Sequence, residues 1–271
     1  MSGTTATHGG LLIEVPGGLV FRSRFQVEHK ACWGPDADLT TLVVDLLEAA
    51  AEHGLVARLD GVPGGVDADV LTAALPWLVL EGGPHRLQVL DHAVALMEDG
   101  LEASPLEPLL EADCIQLDPS NHADLAAAWS KECSDVNVSQ GAYVSDRSHR
   151  LAAPARLGLL AQDGPVWPPR GSTHEGLSPS AGPHLAPWGA VHSWTRLLAA
   201  GAPSEFALRA PLLGDLTSMV VDLDDGPRGV FLHADGHPAS VAIGDRVRLV
   251  VRRLYAQDGV LRYGRKALHS P

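Results

Sequence analysis

Seven basic residues lie close together near the C-terminus: Arg246, Arg248, Arg252, Arg253, Arg262, Arg265 and Lys266. Guanidinium groups make bidentate, charge-assisted hydrogen bonds to phosphate and to carboxylate. A cationic strand pair built from them suits either a phosphate-bearing ligand or a carboxylate-lined protein surface. A solvated outer sheet face is the structural alternative, because charge on the exposed side of a half-buried sheet is ordinary. Nucleic acid is disfavoured. Single-strand binding wants aromatic platforms among the charges, and only Tyr255 and Tyr263 are nearby. The formal net charge of −13 also opposes sequence-independent binding to a phosphate backbone.

Other residue types carry less. Cys114 with His122, and Cys32 with His29, are thiol–imidazole candidates, but Glu111, Asp113 and Asp118 surround the first pair and negative charge raises a thiol pKa. Ordinary core or surface cysteine is the better account, and no catalytic residue is assigned. Three cysteines with no CxxC pair argue against a disulfide framework and a four-thiolate zinc site. The histidines form no HxH pair. GVPGG at Gly61–Gly65 lacks the lysine of a phosphate loop and reads as a tight turn.

The basic residues must be positioned by strands. Val247, Leu249 and Val251 alternate with Arg248, Val250 and Arg252, giving one apolar face and one partly cationic face. Asp258-Gly259 makes a hairpin turn, and Leu261 and Tyr263 return on one face with Arg262 on the other. Five strands are expected at Ala190–Leu198, Thr217–Leu223, Gly229–His233, Arg246–Tyr255 and Val260–Lys266, which suits a small Greek-key barrel of OB type.

The order AVHSWTRL, GAPSEFALRAP, MVVDLDDGPRGVFL and GDRVRLVVRRLYAQDGVLRYGRKA, preceded by LGLLAQDGPVWPPR at Leu157–Arg170, resembles the acyl-CoA-associated zinc-ribbon/OB-fold family. Its members partner thiolase-like and ketosynthase-like enzymes, and the resemblance covers about half of the chain. In that family the WPPR segment lies between the two cysteine pairs of the ribbon. Here Trp167-Pro168-Pro169-Arg170 matches, yet residues 134–271 contain no cysteine. A structural zinc site wants four ligands, and His174 and His184, with Asp163 and Glu175, are the only donors in the region. The ribbon is therefore expected to be degenerate and metal-free, shaped by Trp167, Trp188 and the prolines.

The resemblance implies a non-catalytic accessory subunit that binds a thiolase-like or ketosynthase-like protein and helps organise an acyl-CoA site for carbon–carbon bond formation or cleavage. It further implies that the partner provides the nucleophilic cysteine and that no cofactor is held tightly. On physical grounds the basic cluster is the candidate for cofactor phosphates or an acidic partner. The loop aromatics Trp167, Trp188 and Phe206, with Arg170, are the candidates for partner contact. Two rival readings stand beside this: an enzyme acting on acyl-CoA thioesters from a site in the N-terminal half, and an interaction module with no thioester role.

For residues 1–135 no family comes to mind. LLIEV, Pro16-Gly17-Gly18 and LVFRSRFQV read as a β-hairpin. Asp38 caps a helix with Leu39, Leu42, Val43, Leu46 and Leu47 on its apolar stripe, ended by Gly54. A strand is expected at Leu55–Leu59, a helix from Asp67 through Ala74 and another apolar segment at Trp77–Leu80. The region Pro84–Leu110 is read as helical from Leu87, Leu90, Ala93, Val94 and Met97. A further helix starts at Asp118 or Asn121 and ends near Ser134. This alternation favours an α/β layer domain.

The fold class is thus α+β overall, with an N-terminal α/β layer domain over residues 1–135, a linker and degenerate ribbon over 136–188, and an OB-type barrel over 189–271. Residues 1–145 carry net −16 against +3 for 146–271, which suggests two modules with different partners. With no run of eighteen apolar residues and no signal-like N-terminus, the chain is expected in the cytoplasm, away from membranes.

Overall fold

The structure, a computed structural model, describes residues 4–6, 10–55, 58–134, 146–161, 167–168, 182–235, 241–257 and 259–269. The chain divides into two compact units, Met1–Pro119 and Ser120–Pro271.

In the first unit, β1 (Thr4–Ala6), β2 (Leu11–Val15) and β3 (Gly18–Arg22) run antiparallel, and Gly17 at φ +75° supplies the left-handed residue that the hairpin turn requires. The short strands β4 (Phe25–Val27) and β5 (Lys30–Ala31) follow. Helix α1 (Leu39–Glu52) starts at a capping box: Asp38 Oδ1 accepts from Thr41 N at 3.0 Å, and Asp38 N donates to Thr41 Oγ1 at 2.9 Å. In α2 (Ala68–Ala74), Asp67 caps as the sequence predicts, accepting from Asp69 N and Val70 N.

Two expectations fail here. The region read as a helix holds an antiparallel pair, β6 (His85–Leu90) and β7 (Ala93–Glu98), turning at Asp91-His92 with His92 at φ 49°. The cause is burial on both sides. In the sheet order β1-β2-β3-β7-β6, β7 is an inner strand. One of its faces packs Ala95 and Met97 with Val20, Leu106 and Ala103. The other sets Val94 and Leu96 beside Phe21 and Leu19, beneath α1. A short apolar run buried on two faces cannot be told from a helix by periodicity. The strand expected at Leu55–Leu59 is reduced, within its described residues, to single bridges from Arg58 to Val79 and from Leu59 to His85. Strand β8 (Ile115–Gln116) joins β4 in parallel.

The second unit opens with α3 (Pro119–Ser134), as expected. It then forms a helix that the linker reading lacked, α4 (Asp146–Leu157), with Pro154 inside it. All five expected barrel strands are present: β9 (Trp188–Leu198), β10 (Asp215–Leu223), β11 (Arg228–Leu232), β12 (Arg246–Gln257) and β13 (Val260–His269). A short helix, α5 (Ala210–Leu213), lies between β9 and β10. The sheet order is β11-β10-β9-β12-β13. A parallel bridge between His233 and Ala267, with Ala234 N donating to Ala267 O at 2.9 Å, brings the two outer strands together without closing the sheet. This is the partly open five-stranded arrangement of OB type. Among the described residues, no helix is long and apolar enough to cross a membrane.

Candidate functional site

The barrel interior is built from Val191, Met219, Val221, Phe231, Val247, Leu249 and Ala267, and it continues into Leu159, Ala161 and Leu185. Those last three belong to a small antiparallel stem outside the barrel strands. Leu185 N donates to Leu159 O at 3.0 Å, Ala161 N donates to Pro183 O at 2.9 Å, and Leu160 bridges to His184. Trp167 rises from this region and stacks on Phe231, ring centroids 5.4 Å apart, while its Nε1 donates to Ala155 O at 2.7 Å. The stack passes over Gly229, where a Cβ would sit 2.8 Å from the Trp167 ring. Trp167, predicted as a partner contact, is thus half-buried against the barrel core.

The seven basic residues occupy the β12–β13 hairpin, as expected, but the solvated cationic face does not form. Arg248, Arg252, Arg262, Arg265 and Lys266 are all buried. Arg252, 1% exposed, directs Nε at both carboxylate oxygens of buried Asp235, at 3.2 and 3.1 Å. Arg265 donates Nε to Leu157 O at 2.7 Å and Nη1 to Leu249 O at 2.9 Å, fastening the last residue of α4 to the barrel. A cation at a helix C-terminus is favoured by the carbonyls left without intrahelical partners there. Arg253 lies over the Trp129 ring at 4.3 Å, and Arg248 over Trp188 at 5.3 Å. Arg246 stays half-exposed and grips Asp224 bidentately at 2.7 and 2.8 Å, a contact that lowers the Asp224 pKa and raises that of Arg246. Physically, long cationic stems tolerate burial when their heads meet carboxylates, carbonyls and ring faces.

A second cluster was not foreseen. Arg209, 1% exposed, donates Nε to Glu132 Oε1 at 2.8 Å and Nη2 to Leu254 O at 2.7 Å, and lies 3.8 Å from the Trp129 ring centre and 5.2 Å from that of Phe206. Phe206, another predicted partner contact, is itself buried with Ala210 and Leu216. Burial pushes the Glu132 pKa up, against the opposing pull of Arg209. The sequence did hold a signal. Trp129 and Glu132 are three apart, and so share one face of a helix that is otherwise largely polar or alanine.

On the barrel surface, Asp222 accepts from Arg228 at 2.5 Å and contacts His192 Nδ1 at 3.0 Å. The Arg228 hydrogen bond lowers its pKa, with a smaller contribution from His192. Arg170, and the zinc donors Asp163, His174 and Glu175, lie outside the described residues. His184 commits Nδ1 to Gly158 O at 2.6 Å within the stem. Among the described residues, no three metal-binding side chains cluster. Of the four expected donors only His184 lies among the described residues, and a closed zinc ribbon wants four ligands. In the first unit, burial raises the Cys32 thiol to about 11, the opposite of what a nucleophile needs.

No family model matches the sequence, and no curated protein matches it. Among solved structures, the chain is similar to one described as an Ltp2-ChsH2(DUF35) aldolase. The identity is 18%, the match spans 46% of this chain and 98% of that one, and the TM-score is 0.30.

Proposed function

We propose that this chain is a non-catalytic accessory subunit that docks on a thiolase-like or ketosynthase-like enzyme and helps organise an acyl-CoA thioester site for carbon–carbon bond formation or cleavage. One observation carries the reading. The OB-type strand order and the stem that bears the WPPR tryptophan occur together in a single unit, with Trp167 packed on the barrel core. This is the pairing of elements that the sequence resemblance leads one to expect. Burial raises the Cys32 thiol, which makes that residue a poor nucleophile. Within the basic cluster, phosphate contact falls to half-exposed Arg246, while the buried arginines hold the hairpin that presents it.

The test is an affinity pull-down of the tagged full chain from its native extract, with mass spectrometry of what remains bound. A thiolase-like or ketosynthase-like protein at near-stoichiometric level is expected, and the recovered pair should turn over an acyl-CoA thioester that the chain alone does not. A chain that elutes alone, or one that turns over the thioester by itself, overturns the reading.

A further inference from the structure

In the first unit, one face of the five-stranded sheet is covered by chain that belongs to no helix or strand. Residues 101–110, LEASPLEPLL, lie over Val20, Ala95 and Met97, with Ala103 and Leu106 packed against them. Leu101 closes over Gly17, just before β3, and Arg22, at the end of β3, donates Nη1 to Glu107 O at 2.5 Å. This strap therefore runs lengthwise along β3. Its burial has period three: Ala103, Leu106 and Leu109 are half-buried, whereas Glu102, Ser104, Pro105, Glu107, Pro108 and Leu110 are exposed. Three residues per turn without internal hydrogen bonds is the habit of polyproline II, and Pro105 and Pro108 favour it. Among the described residues, no main-chain hydrogen bond reaches residues 102–109.

The sheet holds the strap's backbone through side chains instead. Ile13, Val20, Ala95 and Gln88 form one row across four strands. From the end of that row Gln88 donates Nε2 to Leu101 O at 2.6 Å and accepts from Ala103 N at 2.9 Å. Such a paired amide clamp grips an extended chain whatever its side chains, while the apolar floor selects for an apolar residue at every third position. The fit is incomplete. Arg22 Nε is buried and finds no partner, and a buried donor left unmet costs free energy. We propose that this face is a peptide groove for an extended, proline-spaced segment of a partner protein with apolar residues at every third position, filled in cis by residues 101–110 until that segment displaces them. A strap tied by the two Gln88 bonds, the Arg22 bond and two half-buried side chains opens at far lower cost than the strands beneath it. Being tethered at an effective concentration on the order of millimolar, it also keeps out weaker segments.

The probe is a fluorophore-labelled synthetic peptide of residues 101–110, and the test stands apart from the accessory-subunit reading because no thioester enzyme takes part. In the full chain with residues 102–109 replaced by an equal length of glycine and serine, the peptide should bind saturably. The wild type should bind it about tenfold more weakly or worse, because its groove is filled. Gln88→Ala in the strap-replaced chain should weaken binding by about tenfold through two lost hydrogen bonds. A peptide with Ala103→Asp and Leu106→Asp should not bind, whereas one with Ser104→Asp, at a solvent-facing position, should. Absence of saturable binding by a strap-replaced chain with the wild-type circular dichroism overturns the proposal, and so does equal binding of the doubly substituted peptide. Where strap replacement unfolds the unit, hydrogen exchange on the wild type decides. The Ala103 amide is expected to exchange about a hundredfold faster than that of Ala95 or more, and equal rates would show a strap that leaves only on global unfolding, which overturns the proposal.

Discussion

Arg209 and Glu132, 77 residues apart in sequence, form an ion pair in which both side chains are 1% exposed. The pair joins α3 to the loop before β10, and the Trp129 ring lies against the same guanidinium. Removing one partner of such a pair leaves a buried charge without its counterion, at a cost of about 3–5 kcal/mol. Glu132→Ala should therefore lower the unfolding free energy of the second unit by that much, read from the shift of its urea midpoint. Arg209→Lys should rescue little, because one ammonium cannot serve Glu132, the Leu254 carbonyl and the ring together. A loss below about 1 kcal/mol in Glu132→Ala would show that the pair is no better than a surface one.

The pH dependence has two opposed parts. Glu132 has its pKa raised by burial, so its contribution favours the folded state in acid and is lost as pH rises through the raised value. Glu132→Gln should remove that slope above pH 4.5, the ordinary value. Asp222, Asp224 and Asp245 are lowered, chiefly by Arg228, Arg246 and the Ala242 amide respectively. Their contribution is present above the ordinary carboxylate range and fades as pH falls through the lowered values. Stability curves of wild type and Glu132→Gln that stay parallel from pH 4 to 8 would remove Glu132 from this account.

Arg252 and Arg246 sit on one strand and should behave oppositely when reversed in charge. Arg252→Glu places two carboxylates together in a buried site and should cost about 3–5 kcal/mol or unfold the unit. Arg246→Glu breaks an exposed pair with Asp224 and should cost about 1 kcal/mol or less. It should leave the circular dichroism unchanged while weakening CoA binding by the recovered complex. Titration calorimetry with unchanged CoA affinity would take the phosphate role from Arg246.

Gly229 lies under two aromatic rings, and a Cβ there would come within 2.5 Å of Phe231 and 2.8 Å of Trp167. Gly229→Ala should cost about 1–3 kcal/mol through overpacking. Pairing it with Trp167→Ala should recover part of that loss. Strict additivity in this cycle would mean that the stack is not what fills the site.

The strands of the barrel were legible because each is an alternating or β-branched run between turn residues, and α1 because Asp38, its apolar stripe and Gly54 agree. The burial of the basic cluster was not. Alternation along β12 shows which residues share a face, but whether that face is covered depends on Leu157, Asp235 and Trp129, which come from distant parts of the chain. The same limit explains β6 and β7. Ala93–Met97 is apolar on both faces because α1 and the segment around Leu106 cover both, and a strand buried twice loses the period that would identify it. Arg252, chosen from the sequence as a ligand contact, is spent on Asp235. Arg209, passed over, holds α3.

The stem formed by Leu159–Ala161 and Pro183–Leu185 brings two points of the chain side by side and anchors them in the barrel core. Whatever sequence runs between them begins and ends at one fixed gate. Between them Trp167 is packed on the barrel core as well, so the connection is held at a third point. A graft there keeps the barrel packing only if it keeps a tryptophan at this point, against Phe231 and Gly229.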